Sequence, residues 1–140
     1  MNIDIRCDCA NVDWNAVSET LKQVGMTSYR PEVHKRAFEA SHTTVFAYHT
    51  GRLIGFGRAI SDGVHEGAVY DVAIVPEFQR KGIGTMIMKK ILERLSGINV
   101  ILYAAPGKED FYRKLDLRRM KTGMALFKNT ARMQERGFTE

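Results

Sequence analysis

The sequence feature that most constrains the fold is a strand, a glycine loop and a helix that follow one another in the second half of the chain. Residues 68–75 are an apolar run of strand length, and Pro76 ends it because proline cannot donate to a sheet ladder. The loop at 79–85 contains two glycines, and apolar residues then recur at helical spacing from Ile83 to Leu95. Gly97 provides the helix stop. This order predicts a mixed α/β fold.

The loop between this strand and helix has the composition of an anion-binding site. A helix N-terminus presents unpaired N–H groups and a partial positive charge, which favour a bound anion. Gly82 and Gly84 lack the Cβ atoms that would keep a phosphate away from the backbone, and Arg80 and Lys81 add full positive charges. The loop is therefore predicted to bind a pyrophosphate. The alternative is an ordinary helix start that contains glycine.

Two common glycine-loop motifs do not fit these residues. A P-loop requires lysine after its last glycine, whereas Lys81 precedes Gly82. A dinucleotide-binding loop requires a third glycine where Ile87 stands, and it follows the first strand of its domain. The stretch from Asp71 to Gly84 instead closely resembles the core motif Gln/Arg-x-x-Gly-x-Gly/Ala of the GCN5-related N-acetyltransferase (GNAT) family, including the proline before the loop.

The predicted order of elements over the whole chain agrees with this resemblance. Asn11 or Asp13 is expected to cap the first helix. Hydropathy patterning predicts, in chain order, a strand at 3–7, helices at 14–24 and 31–40, strands at 43–48, 53–60 and 68–75, the helix after the glycine loop, a strand at 99–104, a short helix from 106, and one or two final strands within 118–127. Without a repeat or linker, we expect one α/β domain over 1–140 with a polar tail at 128–140. The resemblance implies the GNAT fold, a mixed, mostly antiparallel sheet flanked by about four helices.

A second stretch is similar to another signature of the family, Phe-Tyr-x-x-x-Gly-Phe. Phe111 and Tyr112 match its beginning, whereas Asp116 and Leu117 replace the final Gly-Phe. If the family glycine supplies a left-handed turn, aspartate can adopt it too. The resemblance covers about residues 1–127, as in a small single-domain bacterial-type member, and leaves the tail unexplained.

The resemblance implies acetyl-CoA as cosubstrate and no metal. It implies that the main chain of Val72, Ala73 and Ile74 holds the pantetheine arm and the acetyl carbonyl, in a slot that family members open with a bulge. It also implies which loop residues hold the pyrophosphate, namely Arg80, Lys81, Gly82, Ile83, Gly84 and Thr85.

By the same resemblance, Tyr112 is the acid that protonates the departing thiolate, a role that suits a phenol because it keeps its proton at neutral pH. The acceptor amine must lose a proton before it attacks the thioester. Asp71 is the first candidate base, and Glu66 and His65 are the next candidates. The family has no fixed residue for this task, and water molecules often accept the proton instead. The plainer alternatives are that Tyr112 packs against Phe111 and that Asp71 is an ion-pair partner.

The charge of the chain is divided unevenly. Its formal net charge is +5, but residues 1–75 hold seven Lys and Arg against nine Asp and Glu, whereas residues 76–140 hold fourteen against seven. A basic half suggests a phosphorylated ligand or a nucleic acid. The sequence lacks a motif of interleaved aromatic and basic residues that would contact nucleic-acid bases, which argues against nucleic acid. The acidic half is compatible with a cationic small-molecule amine as acceptor. A protein lysine or N-terminus, and a non-catalytic acyl-CoA-binding module, stay open as alternatives.

Several patterns bear on location and assembly. The sequence contains no apolar run long enough to cross a bilayer and no basic-then-apolar N-terminus, so we expect a cytoplasmic protein without a membrane partner. Cys7 and Cys9 have the spacing of small strand residues rather than of a disulfide or zinc site. The histidines, at 34, 42, 49 and 65, are expected at the surface or at caps. The oligomeric state is left open, with a homodimer as the prior expectation.

Overall fold

The first 102 residues form a sheet with helices against both of its faces. The computed structural model describes all 140 residues and separates them into two units, 1–102 and 103–140. The first unit contains, in chain order, β1 (Asp4–Arg6), α1 (Trp14–Gln23), α2 (Pro31–Glu39), β2 (Thr43–His49), β3 (Arg52–Ser61), β4 (Glu66–Ile74), a 3₁₀ turn (Pro76–Phe78), α3 (Ile83–Arg94) and β5 (Asn99–Ile101). The second contains α4 (Glu109–Arg113) and α5 (Thr130–Glu135). Whether the chain acts as one domain stays a prediction.

The five strands lie in the order β1-β2-β3-β4-β5. The first four are antiparallel to their neighbours, and β5 is parallel to β4. This arrangement confirms the mixed, mostly antiparallel sheet. The pairing of β5 is short, because it runs only from Glu66 opposite Asn99 to Ala68 opposite Ile101. Beyond Ala68, β4 therefore has no partner strand on this side.

Helices α1 and α2 cover one face of the sheet through an aromatic core. Phe38 of α2 lies 5.5 Å from Phe46 of β2 and 5.9 Å from Phe56 of β3, measured between ring centroids, and all three side chains are fully buried. Trp14 at the start of α1 lies 5.5 Å from Phe38. Asp13, one of the two predicted caps, accepts a hydrogen bond from the Ala16 N–H at 3.1 Å.

Helix α3 lies close against the opposite face because β3 carries glycines there. A Cβ atom at Gly55 would meet the side-chain ends of Ile74 at 2.7 Å and Ile87 at 2.9 Å. A Cβ atom at Gly57 would lie 3.0 Å from Ile91. Helix α3, which follows the glycine loop, thus packs directly on the backbone of β3. This packing fixes the position of the α3 N-terminus relative to β4.

The second unit differs from its prediction in the segment 118–127, which contains no strand. Residues 118–126 take part in none of the backbone–backbone hydrogen bonds of the turns and loops, and a strand requires a hydrogen-bonded neighbour. Asp116 adopts the left-handed turn with φ +69°, as predicted. The tail contains α5, and Phe138 behind it lies 5.9 Å from Tyr103, which also contacts Phe127 at 5.3 Å.

Two smaller predictions in the first unit differ from the structure. Cys7 and Cys9 lie after β1, which ends at Arg6, and both are free thiols. Of the two places expected for His34, the surface is wrong, since the residue is only 3% exposed; its Nε2 accepts a hydrogen bond from the Tyr29 N–H, just before the start of α2, at 2.9 Å. Burial lowers the pKa of His34, with a smaller opposing contribution from Asp71.

Candidate active site

A bulge interrupts the pairing of β3 and β4 at the predicted cofactor strand. Phe56 pairs with Ala73, but the next pair is Arg58 with Tyr70, so two residues of β4 lie opposite one residue of β3. Asp71 is in this bulge and has φ +58°, a left-handed conformation that aspartate adopts more readily than most residues. The bulge bends β4 just where its other edge has lost the partner strand.

An ion pair fixes the conformation of the bulge. Arg58 Nε donates to Asp71 Oδ2 at 2.7 Å, and the two side chains are 15% and 23% exposed. Arg58 Nη1 also donates to Ser41 Oγ at 3.3 Å. The guanidinium lies between aromatic rings, 5.7 Å from Phe38 and 5.4 Å from Tyr70. Asp71 is therefore both the predicted base and an ion-pair partner on the face covered by α1 and α2.

The peptide groups of the predicted cofactor strand face alternate sides. The N–H of Val75 donates to the Ile54 carbonyl of β3 at 2.8 Å. Because neighbouring peptide groups in a strand point to opposite sides, those of Ile74 and Val72 face the unpaired edge, and that of Ala73 faces β3. The Ile74 carbonyl accepts a hydrogen bond from Gln79 Nε2 at 3.1 Å, which ties the glycine loop to the end of β4.

The loop itself presents a row of backbone N–H groups. Arg80 (φ +63°) and Gly82 (φ +82°) are left-handed, and such alternation around Lys81 forms a concavity of the kind that binds anions. No side chain caps α3, and the first hydrogen bond of the helix runs from the Met86 N–H to the Gly82 carbonyl at 3.1 Å. The N–H groups of residues 83–85 are consequently free.

The space in front of this helix start is open. A Cβ atom at Gly82 would meet nothing within 4 Å, so the surroundings of this residue are open. The charges of Arg80 and Lys81 are on exposed side chains beside it. These observations fit a negatively charged group at the end of an extended ligand, and the resemblance-based choice of residues 80–85 is compatible with this geometry.

Tyr112 lies in α4 of the second unit. It is half-buried, and its ring contacts Phe111 edge-on at a centroid distance of 4.9 Å. Burial raises the pKa of the Tyr112 phenol above its ordinary value of about 10, so the hydroxyl keeps its proton over the physiological range. Both the predicted acid role and the packing alternative are compatible with these contacts.

The two alternative bases lie at the start of β4 and in the turn just before it. Glu66 begins the strand and is five residues from Asp71, roughly 17 Å along an extended chain. His65 Nδ1 lies 3.5 Å from Glu66 Oε1 and 3.6 Å from Asp62 Oδ2. Hydrogen bonds from the backbone N–H groups of the turn lower the pKa of Asp62 to about 2. Glu66 and His65 thus belong to a turn and do not adjoin the bulge.

Sequence reasoning missed Arg58. Its signal is a cation in the interior of β3, flanked on both sides by apolar residues and glycines, because a charge at a partly buried position requires a partner. The partner could not be read from the sequence, since Asp71 is on the next strand.

The structure contains no group of three or more metal-ligating side chains. No helix combines the length and the apolar composition that a membrane span requires.

The first unit thus combines an α/β sheet, an uncapped helix start and a strand edge without a partner strand. Comparison with known proteins shows the family to which such a chain belongs. The model of the acetyltransferase (GNAT) family matches residues 8–116, and the chain belongs to this family.

Two curated relatives extend the comparison. The chain is 32% identical over 118 residues to serotonin N-acetyltransferase 2, chloroplastic, from Oryza sativa subsp. japonica. It is 35% identical over 115 residues to the uncharacterized N-acetyltransferase ycf52 from Gracilaria tenuistipitata var. liui. These matches cover 79% and 80% of this chain but 59% of each relative. The chain thus spans about three-fifths of the length of these relatives.

Solved structures confirm the fold. A GNAT family acetyltransferase from Streptococcus pneumoniae superposes with a TM-score of 0.76 at 24% identity, over 90% of this chain and 98% of that one. Glucosamine-6-phosphate N-acetyltransferase from Arabidopsis thaliana superposes with a TM-score of 0.71 at 19% identity, over 91% and 99% of the two chains.

Proposed function

We propose that this protein is an N-acetyltransferase that moves an acetyl group from acetyl-CoA directly to the primary amine of a small molecule. The observation that carries the proposal is the free start of α3, whose left-handed Gly82 leaves an open anion-binding concavity next to the unpaired edge of β4. A ligand with a pyrophosphate at one end and an amide-containing arm matches both features.

Each part of this surface has a proposed task. The free N–H groups of Ile83, Gly84 and Thr85 and the charges of Arg80 and Lys81 bind the pyrophosphate. Gly82 adopts the left-handed conformation that the turn into α3 requires, and the space around it is open. The outward peptide groups of Val72 and Ile74 bind the pantetheine amides in the manner of an added strand, and Ala73 holds the segment against β3.

The chemical step needs an acid and a route for the proton of the amine. Acetyl-CoA, when bound, supplies an activated acetyl thioester. Tyr112 holds a proton on its phenol oxygen and donates it to the departing sulfur, a task that the raised pKa leaves available at neutral pH. Asp71 receives the amine proton on the carboxylate oxygen that Arg58 does not engage, while the Arg58 contact keeps this carboxylate oriented.

A small-molecule acceptor is favoured over a protein acceptor by two observations. The names of a relative and of a structural neighbour, a serotonin N-acetyltransferase and a glucosamine-6-phosphate N-acetyltransferase, designate small amines as their acceptors. In addition, residues 1–75 carry a net negative charge, which attracts an alkylammonium ion. A cytoplasmic location stays a prediction, as the chain has close relatives with chloroplastic names.

Ligand-dependent thermal unfolding tests the cofactor. Acetyl-CoA should raise the melting temperature of the full chain in a concentration-dependent way, whereas NADH, ATP and duplex DNA at equal concentration should not. Stabilisation by ATP or DNA without stabilisation by acetyl-CoA would overturn the proposal.

Release of free thiol from acetyl-CoA then tests catalysis and the acceptor. A panel of arylalkylamines, amino sugars and polyamines should contain a substrate that is acetylated faster than lysine-containing peptides or peptides with a free N-terminus. Faster acetylation of the peptides would assign a protein acceptor. Stabilisation by acetyl-CoA without thiol release from any amine would indicate a binding module instead of an enzyme.

A further inference from the structure

The sheet face that carries α2 has an open apolar trough at β4, formed by Ile60, Ala68 and Ile101, with an acidic residue beyond each end. We propose that this trough binds the acceptor as a linear oligoamine, with one terminal nitrogen at Asp71, the methylene chain over Ala68 and a second ammonium at Glu66. The inference rests on the proposed function, because Asp71 is the candidate base there, and it names the class of amine that is acetylated.

The residues of β4 alternate between the two faces of the sheet. A Cβ atom at Gly67 would lie 3.5 Å from the Leu95 side chain, which directly follows α3, so Gly67 faces α3. Its neighbours of opposite parity, Glu66, Ala68 and Tyr70, therefore face away from α3. These three residues form a row along the other side of the strand.

Contacts of Arg58 show that this other side is the one that carries α2. The Arg58 guanidinium lies 5.7 Å from the ring of Phe38 in α2 and 5.4 Å from the ring of Tyr70. Asp71 reaches the same side from the bulge, because its carboxylate accepts the 2.7 Å hydrogen bond from Arg58 Nε. The candidate base and the row of β4 residues thus share one face.

The trough is one strand wide. Ala68 is in register with Ile60 of β3 and with Ile101 of β5, and the two isoleucines are 50% and 51% exposed. The small side chain of Ala68 forms a floor between these larger side chains. Since neighbouring strands lie about 4.8 Å apart, the Cα atoms of the two isoleucines are roughly 10 Å apart. Once their side chains are allowed for, this width suits a single polymethylene chain better than a sugar ring.

Both ends of the trough are acidic. Residues 58–71 contain one lysine or arginine, Arg58, against the acidic residues Asp62, Glu66 and Asp71, and β5 contains no charged residue. Arg58 is already bonded to Asp71. At the other end the Glu66 side chain is 61% exposed, and hydrogen bonds from the turn lower the pKa of Asp62 to about 2, so that this carboxylate stays charged. Two anionic ends with an apolar floor between them are complementary to a chain with a cation at each end.

The spacing of the two ends indicates the length of the amine. Five residues separate Asp71 from Glu66, roughly 17 Å along an extended strand. An N–H···O contact of about 3 Å at each carboxylate leaves roughly 11 Å between the two terminal nitrogens. An extended linear triamine has this length, whereas a short diamine or an arylalkylamine would reach only one end.

The acetyl transfer keeps the form proposed above. The terminal nitrogen forms a bond to the acetyl carbon while the bond from that carbon to sulfur breaks, and the coenzyme leaves as the thiol. Of the three protons of the terminal ammonium, one stays on the product amide, one balances the proton that the sulfur receives, and one passes through Asp71 to solvent. The distal ammonium keeps its protons at Glu66.

Amines that differ in length and charge test the trough on the full chain. Thiol release from acetyl-CoA would be measured with spermidine, 1,4-diaminobutane, hexylamine, phenethylamine and glucosamine. Spermidine should have a kcat/KM about 10-fold or more above that of each other amine, the equivalent of one additional charge contact. A higher kcat/KM for hexylamine or phenethylamine would overturn the inference, because an apolar body would then suffice. A higher value for glucosamine would overturn it as well.

Substitution of Glu66 tests the distal contact. Glu66→Gln removes the charge and keeps an oxygen that can accept the hydrogen bond from Asn99 Nδ2. Calorimetric titration should show a loss of spermidine affinity of about 10-fold, and kcat at saturating spermidine should be retained, which a role of Glu66 as base would not allow. Glu93→Gln, which removes the same charge from α3 on the opposite face, is the matched control. Equal affinities of the two variants would overturn the inference.

Substitution of Ala68 tests the floor. Ala68→Leu places a larger side chain between the two isoleucines and should weaken spermidine binding by about 10-fold or more. Urea unfolding of the same variant shows whether the chain is folded. Unchanged spermidine affinity in a folded Ala68→Leu variant would contradict the inference.

Binding and turnover together separate the failure of this inference from the failure of the proposed function. Spermidine that binds, and binds less tightly to Glu66→Gln, supports the trough even if no amine releases thiol, a result that would overturn the proposed function alone. Acetylation of another amine by a chain that neither binds nor acetylates spermidine would overturn the inference and leave the proposed function intact.

Discussion

The two units of the molecule differ in their strand pairing and in the burial of their apolar side chains. In residues 1–102 every strand is paired, and all fully buried apolar side chains lie in this unit, the last of them Leu95. Residues 103–140 contain two short helices, a small aromatic cluster and the strand-free segment 118–127. The first unit therefore contains the buried core, whereas the second contributes no fully buried apolar side chain.

The proposed tasks divide in the same way. The groups that would bind the cofactor lie on β4 and α3 of the first unit, whereas the proposed acid, Tyr112, lies on α4 of the second. Substitutions in the loop and the sheet core of the first unit should therefore change affinity and stability, whereas substitution of Tyr112, or of the proposed base Asp71, should change turnover. The five predictions below test this division, from the largest expected effect to the smallest.

Tyr112→Phe should lower kcat by about 100- to 10,000-fold, the range for loss of a general acid, with little change in the affinity for acetyl-CoA. Tyr48→Phe is the matched control, because burial raises the pKa of Tyr48 as well but no role in the reaction is proposed for it. Steady-state rates and direct binding of acetyl-CoA would be measured on both variants. Equal loss of kcat and of affinity would place Tyr112 among the binding residues.

Asp71→Asn should lower kcat by about 100-fold, since the amide cannot accept the amine proton but can still accept the hydrogen bond from Arg58. Arg58→Met should instead lower the free energy of unfolding by about 1–3 kcal/mol, because it leaves a partly buried carboxylate without its partner. Rates and urea unfolding would be compared for the two variants. If Asp71→Asn keeps full activity, the aspartate only shapes the bulge.

Gly82→Asp should weaken binding of acetyl-CoA by about 10- to 100-fold, the equivalent of one charge-assisted hydrogen bond. The new carboxylate would lie at the start of α3, where its negative charge would repel the proposed pyrophosphate. Gly97→Asp is the control, since Gly97 has nearly the same φ of +80° and equally open surroundings. Both variants should lose similar stability from the left-handed backbone, and only Gly82→Asp should lose affinity in calorimetric titration.

Gly55→Ala should lower the free energy of unfolding by about 1 kcal/mol, the low end for overpacking, because the ends of Ile74 and Ile87 have to turn away from the new methyl group. Gly67→Ala is the control, since a Cβ atom there would lie no closer than 3.4 Å to its neighbours. Urea unfolding measures both. Equal stability of the two variants would show that α3 is not seated on β3 as tightly as described.

Acidification should destabilise the protein slightly through His34. Burial lowers the pKa of His34 in the folded state, so below about 6.5 the unfolded chain binds a proton more readily than the folded chain. The stabilising contribution is thus present above pH 6.5 and is lost as the pH falls through the lowered pKa. His34→Gln, which can still accept from the Tyr29 N–H, should flatten this part of the pH profile of unfolding. An unchanged profile would contradict the assignment.

The sequence predicted those parts of the molecule that depend on neighbouring residues. The loop geometry follows from Gly82 and from the helix directly behind it, and the left-handed turn at Asp116 follows from its match to the glycine of the family signature, because aspartate can adopt that conformation. The order of the elements was likewise predictable, since strand and helix periodicities are local. The site roles of Tyr112 and Asp71 stay predictions.

The features that sequence reasoning missed depend on residues far apart in the chain. The pairing of Arg58 with Asp71 requires the register of β3 against β4, which the bulge shifts by one residue. The burial of His34 requires the packing of α2 on the sheet. The segment 118–127 has strand-like composition, yet a strand exists only where another strand pairs with it. Pattern alone cannot say whether that partner is present.

The uncapped start of α3 also allows ligand binding to the loop to be followed directly by amide hydrogen exchange. The amide hydrogens of residues 83–85 have no acceptor within the chain, so they should exchange with solvent deuterium far faster than those deeper in the helix. An anion that accepts hydrogen bonds from them would slow this exchange at three adjacent positions. Amide exchange with and without the coenzyme would therefore report loop occupancy residue by residue, before any acceptor amine is known.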